Sequence, residues 1–311
     1  MRLLRHVAPS AALSCALYAL ALWLAPAGSL VLVLAPLPAL ILAYDAALAA
    51  AVLWWILSSA VLGCVLDPAA ALGFGLPIGV PALAMAYGVH RNWSFERTAL
   101  AGLVAWVVVI AAVSLAAFGD PASAMAAVRE RLARSLDVAL QGSGALTGDD
   151  AVTALAADRD VIVDSLFQLF PALVGLTGGA LVLVNLGLLR RMRGFGGAGD
   201  LQLWRVPEGF IWLLIASGFA TVVAPDSLSI AARNLLVLLL GGYFCQGLAI
   251  VSYYLGRLGA PRAVRAVVYV FVFIQQLAAA VVLALGVFDL WLNFRRHGAG
   301  PAPVGFHPDG E

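Results

Sequence analysis

Long runs of apolar residues, separated by arginines, prolines and glycine-rich turns, make up most of the chain. Most are apolar on every side, which suits a helix surrounded by lipid or other helices rather than one facing water. The run between Val161 and Arg193 is the guide to the rest. It carries no charge from Ser165 to Leu189, Pro171 interrupts it, and Arg190, Arg191 and Arg193 end it. That exceeds the ~20 apolar residues needed to cross a bilayer core. The same reading places further spans at Val7–Ala25, Ser29–Ala43, Ala46–Leu66, Leu72–Val89 and Thr98–Phe118. Beyond the arginine cluster they recur from Pro207 to about Val223, over about Asn234–Leu255 and over about Ala266–Val287. The predicted fold is all-α: a polytopic membrane helix bundle of eight or nine spans, forming one membrane domain over residues 1–293. Residues 294–311, rich in proline and glycine, are expected to be a disordered tail.

Interruptions refine the pattern. Ser29–Ala43 contains Pro36 and Pro38, and fifteen residues reach only ~22 Å as a helix, so local thinning or a broken helix is expected. Leu72–Val89 holds GFGLPIGVP; such breakers survive in membrane helices where neighbours satisfy the freed backbone groups, so this span should be enclosed. Between Gly119 and Asp160 the period changes. Met125, Val128, Leu132, Leu136 and Leu140 recur at helical spacing while Arg129, Arg131, Arg134 and Asp137 take other faces. That predicts an amphipathic helix in a long extramembrane connection, packed on the membrane surface or the bundle. QGSGALTGDD reads as a flexible break, with Asp149 or Asp150 able to cap the next helix. Val7–Ala25 is longer than the apolar core of a signal peptide, which favours a retained first helix.

Composition agrees with a lipid environment. Of 311 residues, 63% are hydrophobic and 11% charged, against about 25% charged in soluble domains. The formal net charge of +1, with no long basic run, argues against nucleic acid as a partner. Cys15, Cys64 and Cys245 stand alone in apolar runs and read as free thiols. Arginine in short loops marks the cytoplasmic face. With the N-terminus inside, the His90–Arg97, Arg190–Arg205 and Arg257–Arg265 loops are inside too, and the Gly119–Asp160 connection is outside. Nine full spans then leave Arg295 and Arg296 outside, against the rule. Either that pair is overruled or a short proline-bearing span, Ser29–Ala43 or Leu72–Val89, is re-entrant. An even count alone does not settle it, because losing an early span also reverses the first helix.

No catalytic site is predicted. His6, His90, His297 and His307 lie outside the apolar spans without metal-ligand spacing. No nucleophile elbow is present, and the glycine-rich loop after Arg193 lacks both GxGxxG and a preceding strand. Acidic residues such as Asp45, Asp67, Glu208 and Asp289 fall at span ends, which disfavours a proton pump. No metal or cofactor is expected. Amides and a hydroxyl remain at depth: Gln246, Gln275, Gln276, Thr177 and Asn185. Gln246 and Gln275 or Gln276 lie at matching distances from the Arg257–Arg265 turn, so they are the candidates to line a polar ligand site. Their other role is hydrogen bonding between helices, worth about 0.6 kcal/mol each.

Pro171, Arg190, Arg191, Trp204, Pro207 and Trp212, with Gly286-x-x-Asp289 running into Phe294-Arg295, resemble an uncharacterised bacterial multi-pass membrane family typified by YybS. That family is distantly similar to the substrate-binding S components of energy-coupling-factor vitamin transporters. Ala8, Ala12 and Ala16 match the four-residue spacing of small residues by which S components dock. The resemblance implies a bacterial inner-membrane protein serving as a small-molecule binding or transport component. The alternative is a non-transporting accessory protein that organises other membrane proteins or lipids. The partners expected are the bilayer, a small neutral or polar ligand, and another membrane protein.

Overall fold

The computed structural model describes residues 2–24, 28–147, 157–196, 202 and 204–295, and every regular element among them is a helix. The chain divides into two compact units, residues 1–198 and 199–311, a division the apolar patterning does not announce. The first holds α1 (Arg2–Trp23), α2 (Gly28–Leu32), α3 (Leu37–Asp45), α4 (Leu48–Val65), α5 (Pro68–Phe74) and α6 (Val80–His90). It continues with α7 (Phe95–Phe118), α8 (Pro121–Thr147), α9 (Arg159–Gln168) and α10 (Phe170–Arg193). The second holds α11 (Phe210–Val223), α12 (Asp226–Arg257), α13 (Arg262–Ile274) and α14 (Gln276–Leu292). The Asp149/Asp150 cap and residues 296–311 of the expected tail lie outside the described residues.

Among the described residues, six helices are long and apolar enough to cross a membrane, or seven if α13 and α14 count as one bent span, against the eight or nine expected. The difference lies in the breakers. Ser29–Ala43 is two short helices, because Pro36 and Pro38 lack the N–H groups that would continue α2 into α3. The carbonyls freed between them find side chains: Ser14 donates to Ala35 O (2.9 Å) and Asn185 Nδ2 to Val33 O (2.6 Å). Leu72–Val89 keeps helical continuity through a π-helical turn, Gly75–Gly79. Trp55 Nε1 donates to Gly75 O at 2.8 Å. Half of this segment's apolar window is buried inside the protein, against 11% for α7, so it is enclosed as its glycines and prolines require.

The charge-free run around Pro171 is not one helix. α9 ends at Gln168 and α10 starts at Phe170, with Pro171 in the first turn, where a missing N–H costs nothing. α10 closes on Gly194 at φ 76°, with Arg190, Arg191 and Arg193 in the last turn, where the dipole favours cations. Arg193 pairs with Asp45 at 2.8 Å. The break expected at QGSGALTGDD is absent through Thr147, because α8 runs on to that residue. Val128, Leu132, Leu136 and Leu140 are half-buried, whereas Met125 is exposed. What packs along α8 is α9, tied to it by Arg129–Asp164 and Arg159–Asp137, both at 2.6 Å. The two pairs bracket the stripe and set the helices antiparallel.

Candidate functional site

The second unit is built on α12, whose 32 residues extend ~48 Å. α14 crosses it at Gly247 and Gly286. A Cβ at Gly286 would overlap Tyr243 O, and one at Gly247 would overlap Val282 O, so only glycine permits this approach. The expected span Ala266–Val287 is instead two helices meeting at 101°, with Gln275 in extended conformation (ψ 109°) at the break. Phe273 packs edge-on against Phe244, about 20 Å along α12 from Arg257. Yet beyond the other end of the hairpin the chain returns to the Arg257 end, since Tyr254 donates its hydroxyl to Phe294 O (2.7 Å). Both ends of α13–α14 therefore lie at one end of α12.

Gln202 packs against Gly256 near that same end. The non-helical residues 204–207 then run beside α12 to Gly242 and into the short, 14-residue α11. This helix starts at Phe210, three residues later than the Pro207 expected. Backbone without helical partners must find others when removed from water. Gln246 Oε1 accepts from Val206 N (2.8 Å), and Arg295 NH1 donates to Gln202 O (2.7 Å) and Trp204 O (3.0 Å).

Asp289 is the hub of these contacts. It is fully buried, and its Oδ2 accepts from Gln246 Nε2 (3.1 Å) and Arg295 NH2 (2.9 Å). Its Oδ1 accepts from Phe294 N (3.0 Å), because Asn293 at φ 47° turns the chain back over the helix end. Arg205 Nε stands 3.6 Å from Oδ2, and its NH2 donates to Asn293 Oδ1. Burial pushes the Arg295 guanidinium down and Asp289 pulls it back up, while Arg205 adds a downward push. A cavity of about 220 Å³ opens beside the network, lined among others by Arg205, Glu208, Tyr243, Gln246 and Asp289. A larger cavity of about 410 Å³ in the first unit, at Tyr44, Trp93 and Phe195, has no charged side chain in its lining.

The residues singled out from sequence are thus dispersed. Gln246 sits in the network, 3% exposed. Gln275 and Gln276 are exposed at the tip of the α13–α14 hairpin and do not join it. Depth matching assumed two straight antiparallel helices, and the 101° break removes that premise. Thr177 is exposed and donates to Leu173 O of its own helix at 2.8 Å. Asn185 is fully buried in the first unit, spending its amide N–H groups on Val33 O and Leu181 O. Sequence reasoning placed Asp289 at a span end and Arg205 in a loop, and cited Asp289 and Arg295 only in a motif of resemblance, without joining the three into a site. The available signal was the spacing of Asp289 and Arg295, an opposite pair six residues apart across a helix end. Among the described residues, no group of three His, Cys, Asp or Glu side chains could hold a metal ion.

Among the described residues, helices of 18 residues or more that each carry a long apolar window, with no strand, define an all-α polytopic membrane protein. Residues 12–290 match the family described as "Predicted membrane protein (DUF2232)", and the chain belongs to that family. No curated protein and no solved structure matches the chain.

Proposed function

We propose that the protein is a small-molecule binding or transport component of a bacterial inner membrane, with its site at the cavity beside Asp289. The observation that carries this reading is a buried Asp289–Arg295–Gln246 network holding non-helical backbone open against a 220 Å³ cavity. Solute carriers place their sites where helices are broken and backbone groups turn inward, and such backbone is stable at membrane depth only when it is enclosed or lines a cavity. In this reading α13–α14 is a re-entrant hairpin. Arg257, Arg262, Arg265 and Arg295 then share the cytoplasmic face, which removes the arginine conflict that nine full spans create. The likeness to YybS and to S components belongs to the same proposal, with Ala8, Ala12 and Ala16 as the docking stripe.

Native mass spectrometry of the gently extracted protein tests it. A retained small molecule that Gln246→Leu releases, with helicity unchanged, supports the reading; a protein that carries none under any extraction counts against it. The α8–α9 hairpin favours a second reading, an accessory protein that organises other membrane proteins. Its Glu130, Arg131 and Arg134 are exposed, with Arg134 3.5 Å from Glu130. Recovery of a protein partner without any ligand would select that alternative.

A further inference from the structure

We propose that the cavity takes a small zwitterion of about amino-acid size, its carboxylate on Arg205 and its ammonium group on Glu208. The inference rests on the small-molecule reading above and names the ligand class of the same site. Asp289 and Gln246 form the floor but have little left to offer. Both oxygens of Asp289 are engaged, and Gln246 spends its oxygen on Val206 N and its nitrogen on Asp289. The chemistry left to a ligand comes from three other side chains.

Arg205 is a planar guanidinium with five N–H donors. Its contacts to Asn293 and Asp289 involve NH2 and Nε, so NH1 remains available. Glu208 lines the cavity from the turn before α11, and its carboxylate makes no hydrogen bond or ion pair among the described residues. The third side chain is Tyr243. The residue is only 3% exposed and lines the same cavity, and its hydroxyl, which is not itself fully buried, makes no hydrogen bond among the described residues. Tyrosine hydroxyls of largely buried rings ordinarily find a hydrogen bond, so this one is open to what enters the cavity.

Charge and size narrow the class. Arg205, exposed and 3.6 Å from Asp289 Oδ2, and the exposed Glu208 put one guanidinium and one further carboxylate on the cavity wall. A ligand of single charge would pair with one of them and stand against the like charge of the other. A molecule carrying both charges satisfies both. A volume of about 220 Å³ is below the ~300–1,000 Å³ of pockets for drug-sized ligands, which favours a small ligand.

Thermal unfolding of the purified full-length protein in detergent is the test, with glycine, alanine and serine as probes. Acetate and methylammonium serve as matched half-ligands, and acetamide as the neutral control. The expected result is a rise in Tm with one of the amino acids and none with the half-ligands at equal concentration. Arg205→Gln and Glu208→Gln should each weaken that binding about tenfold, the equivalent of ~1.4 kcal/mol. Tyr243→Phe removes only the hydroxyl, so it should keep the ligand-free Tm and bind several-fold more weakly. Amino-acid binding indifferent to both charge substitutions, or acetamide matching glycine, overturns the zwitterion assignment. Native mass spectrometry separates this failure from that of the broader reading. A retained ligand lacking either charge overturns the zwitterion alone, whereas no response to any probe together with ligand-free protein overturns both.

Discussion

At the scale of single residues, the buried charges among the described residues lie in one place. Asp289 and Arg295 are 0% and 4% exposed at their side chains and lie 2.9 Å apart. A buried pair of this kind is expensive to break, because the surviving partner is left charged without compensation. Arg295→Met should therefore cost on the order of 3–5 kcal/mol, by the range measured for such deletions. The double variant Arg295→Met with Asp289→Asn should lose less than the two single losses added together. Unfolding in a denaturing detergent gradient measures both, and strict additivity would mean that the two side chains do not act as a pair. Gln246 is a gentler case. Its amide joins Asp289 to Val206 N and so couples the helix crossing to the non-helical segment.

At the scale of elements, α8 and α9 form a hairpin held by exposed ion pairs and a half-buried apolar stripe. The Arg159 guanidinium holds the Asp137 carboxyl below its ordinary range by direct hydrogen bonding, and Ser123 does the same for Asp120 at the start of α8. A carboxylate whose folded pKa is depressed binds its proton more readily when unfolded. Its stabilising contribution is therefore complete above the unfolded value of about 3.9 and is lost as pH falls through the lowered folded value. Hydrogen exchange, corrected for its intrinsic pH dependence, should show α8 and α9 well protected at neutral pH and loosened below about pH 4. Protection that rises on acidification would contradict the pairing. Asp137→Asn should remove most of the pH effect, since it deletes the titrating group nearest Arg159.

At the scale of the whole molecule, the testable feature is the side on which the last helix ends. If α13–α14 is re-entrant, single cysteines introduced at Arg262 and Asn293 label from the same face of the membrane. A position in Gln141–Gly148 should label from the opposite face. These experiments need a background from which Cys64, which is exposed, has been removed. Labelling of Arg262 and Asn293 from opposite sides would make α13–α14 a kinked span and return the arginine conflict. Labelling of Gln141–Gly148 only from the cytoplasm would overturn the orientation itself.

Helical class and membrane environment were legible in the sequence, since they depend on composition and on long apolar runs. So was the enclosure of the Gly75–Gly79 segment, because its breakers demand neighbours. Gln246 was identifiable as a polar side chain needing an inward partner, though not which partner. That was decided by tertiary structure. Gly247 and Gly286 let two helices approach until Gln246 reaches Asp289, and the break at Gln275 turns Gln275 and Gln276 away. Arg295 became part of a site only because Asn293 reverses the chain, bringing a guanidinium back over the carboxylate six residues earlier. Hydropathy and helical period record what each segment needs from its surroundings; which distant group supplies it depends on crossing points and breaks set by packing between segments.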